Sequence, residues 1–325
     1  MPPTRIWDIH VHFPRNPQKP DEDPQEALDH MAMRLRETGV VKAGLLCPGP
    51  RRPVSGRSTA PAAKTGPKLT HEGCIEMAAK HGDLFLPHAV VDPEITQYER
   101  VHELRAMGYR ALKIIGTPQP YDSEDYFPVY RATEELGMPI LFHCGVIGGP
   151  VDWLKSSPRH DAKSAKRLTE IDETARKIAA GESEPPDWSR NGPRDSSAMF
   201  MRPFHLDTLA GRFPDLKIIG AHLGGTGNYD ETASVARWRR WVYFDVSGGR
   251  TIERHAVERG LIGTEIPVEK LIFGSDCAAD EVHEHVERFE QIFENLGLSD
   301  EEKDLIWYRN AAELFGVEEP IWAKT

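Results

Sequence analysis

At 325 residues the chain exceeds the usual length of one domain, yet a single α/β barrel commonly reaches it. A formal net charge of -11 argues against nucleic acid or an anionic membrane as the main partner, and leaves room for an anionic small-molecule substrate in a locally basic pocket. No apolar run approaches membrane-spanning length, and Met1-Pro2-Pro3-Thr4-Arg5 carries no apolar signal region, so a cytoplasmic protein is expected.

The first segment, Trp7-Asp8-Ile9-His10-Val11-His12, sets costly polar groups in a strand pattern. Side chains alternate along a strand, so Asp8, His10 and His12 share one face and Trp7, Ile9 and Val11 the other. Two imidazoles fixed side by side suit a borderline cation such as Zn2+. Asp8, on the same face, is placed to accept the second ring proton of one of them. The spacing alone is not specific. His283 and His285 repeat it in the charged stretch Asp280 to Glu290, which reads as a surface helix where residues two apart do not face each other.

A helix from Asp21 to Thr38 comes next, with Ala27, Met31 and Leu35 at helical spacing and Gly39 as its stop. Val41 to Cys47 reads as a second strand. Pro48 to Thr70 holds many Pro, Gly, Arg and Lys residues and no acid, and reads as a long loop, either solvated or facing a substrate through Arg51 or Arg52. His71 to His81 is helical, Asp83 to Val91 a third strand, and Glu94 to Met107 a helix ended by Gly108. Arg110 to Gly116 gives a fourth strand, Ser123 to Leu136 a helix ended by Gly137, and Pro139 to Gly145 a fifth strand. The rhythm breaks from Val146 to Arg202. This insertion carries a helix at Asp161 to Ala180, striped by Ala165, Leu168, Ile171, Ala175 and Ile178, and then a polar, Pro-rich stretch, Gly181 to Pro193.

The pattern resumes with a helix at His205 to Arg212, a sixth strand at Leu216 to Leu223, a helix at Thr232 to Arg239 and a seventh strand at Trp241 to Ser247. An eighth strand, Lys270 to Cys277, precedes closing helices at Asp280 to Leu296 and Asp300 to Phe315. Eight strands alternating with helices predict one domain of α/β class, a (β/α)8 TIM barrel with a long helical insertion after strand 5. The cysteines Cys47, Cys74, Cys144 and Cys277 form no CxxC pair and read as small buried hydrophobes in a reducing compartment.

A barrel of this kind brings the C-terminal end of every strand to one face. His10 and His12 end the first strand, His143 of Leu-Phe-His-Cys-Gly the fifth, His222 of Gly-Ala-His-Leu-Gly-Gly the sixth, and Asp276 of Phe-Gly-Ser-Asp-Cys the eighth. Four otherwise apolar strands each deliver a ligand-type residue to the same rim. That shared placement, more than any single residue, predicts a metal site.

These motifs are joined by Arg212-Phe213-Pro214-Asp215-Leu216-Lys217 before Ala221-His222, by Gly274-Ser275-Asp276, and by Arg309-Asn310-Ala311-Ala312 with Leu314-Phe315-Gly316. Across nearly its whole length the chain resembles the amidohydrolase superfamily. The likeness is to the amidohydrolase-related (amidohydrolase 2) branch, which contains aminocarboxymuconate semialdehyde decarboxylase and the resorcylate decarboxylases. The resemblance implies that His10, His12, His143 and Asp276 hold one divalent metal ion, usually Zn2+ with Mn2+ as the alternative. It also implies His222 as acid/base beside the bound water, and a homodimer. The donor set agrees, because three nitrogens and one carboxylate leave room for a water whose acidity a divalent cation raises. His222, with an ordinary pKa near working pH, would take up and return a proton, and Asp276 would accept one as the adduct collapses.

Lys113, on the fourth strand, is read as a cation that reaches the substrate; in two-metal relatives a carboxylated lysine from that strand bridges the ions. Of Arg159, Arg190, Arg194 and Arg202, Arg202 is the candidate for gripping a substrate carboxylate. Trp153 and Trp188 would wall the pocket or anchor the insertion, and His88 on the third strand is read as a core residue. The leading expectation is a metal-dependent hydrolase of a small carboxylated lactone, ester or amide. The alternative is a non-oxidative decarboxylase of an unsaturated or aromatic acid. A barrel that binds without catalysis is disfavoured, because unpartnered buried polar residues cost about 1 to 3 kcal/mol each.

Overall fold

The computed structural model describes residues 5–14, 23–52, 69–147, 173, 176–177, 180–182, 196–248 and 259–317. Apolar runs form eight parallel strands that neighbour one another in sequence order: β1 (Ile6–His12), β2 (Val40–Cys47), β3 (Phe85–Val91), β4 (Ala111–Ile114), β5 (Pro139–Phe142), β6 (Lys217–Gly220), β7 (Val242–Asp245) and β8 (Leu271–Ile272). Two backbone hydrogen bonds join the last segment to the first, from Ile9 N–H to the Phe273 carbonyl at 3.0 Å and from Asp276 N–H to the His10 carbonyl at 2.9 Å. The sheet thus closes into a (β/α)8 barrel. An all-parallel sheet is covered on both faces, which is why β5 reads as an unbroken apolar run and β4 and β6 are apolar apart from Lys113 and Lys217. Leu112, Ile140, Leu141, Phe142, Ile218 and Ile219 are all fully buried.

The outer layer includes α1 (Pro24–Glu37), α2 (His71–Ala78), α3 (Tyr98–Met107), α4 (Phe127–Glu135), α5 (Pro203–Arg212), α6 (Tyr229–Trp238) and α7 (Val282–Asn295). Helix α1 starts where Asp23 accepts the Gln25 N–H and Pro24 presets the first turn, and it buries Leu28, Met31, Ala32 and Leu35. His283 and His285 lie on α7, as the sequence predicts; His283 is exposed and pairs with Glu287 at 3.1 Å, and His285 is half-buried against Arg288. No described helix is long and apolar enough to cross a membrane.

A capping box of Ser299 and Glu302 opens the closing helical run, which ends at Leu314. This run and the residue after it pack against the inside of the barrel: Trp7 lies 5.8 Å from Tyr308 and 5.2 Å from Phe315. His88 stacks on Phe315, ring to ring at 5.6 Å and 9°. Both His88 nitrogens are buried without a hydrogen-bond partner, and Gly44 makes room for the ring, since a Cβ there would lie 2.4 Å from His88 Cε1. Burial, with His10 and Lys113 nearby, lowers the His88 ring to about 3, so it is a neutral core residue, as expected.

The chain divides into two compact units, Met1–Val146 with Ser196–Thr325, which is the barrel, and Ile147–Asp195. In the second, Glu173, Arg176 and Lys177 are helical. The rest of the helix expected at 161–180 lies outside the described residues, as do Trp153, Arg159, Trp188, Arg190, Arg194 and most of the basic loop before α2.

Two expectations are corrected. Arg52 is neither solvated nor turned to a substrate: it pairs with the buried Asp92 at 2.6 Å and donates to the Gly116 carbonyl at 3.1 Å, tying together the segments after β2, β3 and β4. Strands five, six and eight are shorter than predicted, and His143, His222 and Asp276 fall just beyond them. The chain turns sharply there, with φ of 59° at His222, 49° at Leu223 and 47° at Asp276. Left-handed backbone at non-glycine residues costs about 1 to 3 kcal/mol each and gathers at functional rims.

Candidate active site

Strand β1 fixes His10 and His12, and the turn after β8 brings Asp276 up to them. His12 Nε2 lies 3.0 Å from Asp276 Oδ1, and His10 Nε2 lies 3.6 Å from it. One ligand atom from each of the three residues falls within 4.8 Å of the others. Donors held about 2.0 to 2.2 Å from one tetrahedral ion stand roughly 3.3 to 3.6 Å apart, so the trio fits a Zn2+-sized cation. His10 is 1% exposed and His12 59%, which opens the trio to the mouth on one side only.

The protonation states suit cation binding. Burial, then the Lys113 ammonium, lowers the His10 ring below its ordinary value, so it presents a neutral lone pair. Burial works to raise the Asp276 carboxyl, but His10 and the hydrogen bond from His12 outweigh it and hold the group well below the usual carboxylate range.

The predicted role of Asp8 is corrected. Its Oδ1 accepts backbone N–H groups from His10 at 3.1 Å and Ser275 at 2.9 Å, and so pins β1 to the segment after β8. The residue that receives the His10 ring proton is Asp245 at the end of β7, with its Oδ2 2.8 Å from Nδ1. Asp245 Oδ1 accepts the Ser247 hydroxyl at 2.6 Å and the backbone N–H groups of His222 at 2.8 Å and Ser247 at 3.0 Å. Burial would raise this carboxyl too, yet the His10 ring holds it down. His10, His222 and Asp245 form a second cluster of ligand-type atoms. Asp245 Oδ2 already faces the His10 ring at 2.8 Å and its Oδ1 the His222 backbone N–H at 2.8 Å, so both carboxylate oxygens of this cluster are engaged in hydrogen bonds.

His143 and His222 meet because two glycines let their loops touch. A Cβ on Gly225 would lie 2.5 Å from Gly145 Cα, and both glycines have positive φ. The rings sit with His222 Nε2 3.1 Å from His143 Nδ1, while Ser247 Oγ is 2.9 Å from His222 Nδ1. Among the described residues His143 is outside the close trio and joins it through His222. Burial lowers the His222 ring to about 4, against the pull of Asp245, which corrects the expectation that it titrates near working pH. The ring is held neutral.

Lys113 is 1% exposed, with its Nζ 3.4 Å from His10 Nε2. Burial lowers its ammonium to about 8, while Asp245 and Asp276 hold it up, so it remains the buried cation of the site. Arg202 stands where the chain re-enters the barrel before α5, and its guanidinium is paired with Glu231. Asp245 and Ser247 escaped the sequence reading. The barrel-rim argument that found the other residues applies equally to the Phe-Asp-Val-Ser-Gly end of the seventh strand.

Comparison with solved structures places the fold among known barrels. The chain is similar to an uncharacterized TIM-barrel protein from Bordetella bronchiseptica, at 16% identity and a TM-score of 0.60 over 96% of this chain and 98% of that one. It is similar to a probable 2-pyrone-4,6-dicarboxylic acid hydrolase from Acinetobacter baumannii solved with citric acid bound, at 15% identity and a TM-score of 0.55 over 96% and 99% of the two chains. A 5-carboxyvanillate decarboxylase from Sphingomonas paucimobilis matches at 15% identity and a TM-score of 0.55, over 97% and 100%. No curated protein sequence matches. The amidohydrolase 2 family model, described as amidohydrolase, spans residues 7–317, and the chain therefore belongs to that family.

Proposed function

We propose that the barrel mouth is a single-metal centre that hydrolyses a small carboxylated lactone, ester or amide. The carrying observation is the trio His10, His12 and Asp276, imidazole and carboxylate donors within 4.8 Å of one another at an opening on the C-terminal face. These three, with His143 as fourth donor, would hold the ion. A divalent cation there supplies Lewis acidity towards a carbonyl oxygen and acidifies a water molecule. His222, neutral at working pH, takes a proton from the attacking water and returns it to the leaving group. Asp276, held ionised, is a second acceptor.

The charge balance supports a carboxylated substrate. With a divalent ion bound, that ion and Lys113 outweigh the carboxylates of Asp245 and Asp276, so an anion is drawn in. Lys113, beside His10, is the cation for the substrate carboxylate, and Arg202, already engaged by Glu231, is the second candidate. The hydrolase and decarboxylase among the similar structures are both named for carboxylated compounds. Hydrolysis draws on a base for the attacking water, which a neutral His222 supplies, whereas decarboxylation also needs a proton donor to carbon, a role that would fall to Lys113, the buried cation of the site.

Zinc-loaded protein incubated with carboxylated lactones, esters and amides, and in parallel with hydroxybenzoates and unsaturated acids, separates the readings. Ring opening or ester and amide cleavage without CO2 is the expected result. CO2 release from the acids, with the lactones and esters untouched, would replace hydrolysis by decarboxylation.

A further inference from the structure

Strand β7 runs out in Asp245-Val246-Ser247-Gly248, and three of these residues surround His222. Asp245 Oδ1 holds the His222 backbone N–H at 2.8 Å, in the strained left-handed conformation. Ser247 Oγ faces the ring at Nδ1, 2.9 Å away. Gly248 leaves the space the ring fills, since a Cβ there would lie 2.9 Å from His222 Nδ1 and 3.2 Å from its Cβ.

One hydrogen sets the direction of this chain. The Ser247 hydroxyl has a single proton and three groups within reach, Asp245 Oδ1 at 2.6 Å, the His222 ring at 2.9 Å and His10 Nδ1 at 3.2 Å; the last donates to Asp245 Oδ2 at 2.8 Å and offers no lone pair, which leaves two competing acceptors. Asp245 Oδ1 already takes two backbone N–H groups, and Oδ2 faces the His10 ring at 2.8 Å, which is the environment of an acceptor-only carboxylate. Two oxygens 2.6 Å apart need a proton between them, so the hydroxyl donates to Asp245. The ring must then donate to Ser247 Oγ, which makes His222 the Nδ1–H tautomer with its lone pair on Nε2. His143 Nδ1, 3.1 Å from that lone pair, becomes the donor, leaving His143 Nε2 in the form a metal ligand requires. The 3.4 Å from His143 Nε2 to the Val146 carbonyl is long for a competing hydrogen bond.

We propose that Ser247, oriented by Asp245, is a positioning residue that fixes the tautomer of His222, so that the ring's lone pair stands on Nε2, where it accepts from His143 Nδ1–H at rest and takes the proton once that bond is released. The inference rests on His222 as the acid/base of the proposed reaction, but the tautomer can be read with no substrate at all. The probe is zinc-loaded protein labelled with ring-15N histidine, with His222 signals assigned by their loss in His222→Gln. Long-range 1H–15N spectra of the wild type should show a protonated Nδ1 and an unprotonated Nε2. Ser247→Ala removes one buried oxygen and adds nothing that must fit. It should move His222 to the other tautomer or a mixture and lower kcat by ~10- to 100-fold, with KM nearly unchanged. A wild-type His222 in the Nε2–H form, or a Ser247→Ala protein that keeps the Nδ1–H form, overturns the proposal, and the wild-type spectrum decides this even if the variant fails to fold. Absence of turnover on every substrate class would sink the proposed reaction and leave the tautomer result standing.

Discussion

Replacing His88 by leucine tests the account of the barrel interior quantitatively. The ring is fully buried, stacked on Phe315, unpartnered at both nitrogens, and lowered from 6.5 to about 3. Because the folded pKa is depressed, the unfolded chain takes up the proton first, and stability falls as pH drops below about 6.5 and on towards about 3. From those two values the loss attributable to this residue is about 2 kcal/mol at pH 5, and only a few tenths at pH 7. Leucine is close in volume and does not titrate, so His88→Leu should change stability by less than about 1.5 kcal/mol at pH 7. At pH 5 it should be more stable, relative to wild type, by a further ~2 kcal/mol. Urea unfolding of both proteins at the two pH values measures this as a difference of differences, in which the other titrating groups cancel. An identical offset at pH 5 and pH 7 would show that His88 carries a proton in the folded barrel, and the reasoning about its burial would fail.

Other perturbations test other joints of the structure. Gly225→Ala sets a Cβ 2.5 Å from Gly145 Cα at a positive φ, and should cost about 2 kcal/mol or more while pushing His222 away from His143; a loss of turnover that exceeds the fall in melting temperature is the expected reading. Arg52→Ala leaves the buried Asp92 without its cation and should cost roughly 3 kcal/mol, seen as a lowered melting temperature. An unchanged melting temperature would show that the Arg52 contact contributes nothing. His222→Gln should keep its metal and lose turnover, whereas joint loss of both would make His222 a ligand rather than the acid/base.

The barrel was legible because parallel strands buried on both faces must be apolar, and Gly39, Gly108 and Gly137 mark three of the joints between elements. The rim residues were legible for the converse reason: His10, His143, His222 and Asp276 interrupt or end apolar runs where only a partner repays their burial. What pattern could not supply was pairing across the ring. Asp8 and Asp245 are both buried acids near His10, and nothing local to either sequence says that β7, not β1, supplies the carboxylate that faces the His10 ring. The pKa of His222 was misjudged for the same reason, since burial is a property of the assembled mouth. Strand lengths were overrun at β5, β6 and β8 because residues continue to look strand-like after the backbone has turned. Arg52 looked solvated because its partner, Asp92, lies forty positions away.

The most direct test of the central claim is metal content by mass spectrometry on purified wild type and on Asp276→Asn. One divalent ion per chain in the wild type, with affinity reduced by about 100-fold in Asp276→Asn, is the result the trio predicts. Two ions per wild-type chain, or a single ion held as tightly without the Asp276 carboxylate, would contradict it.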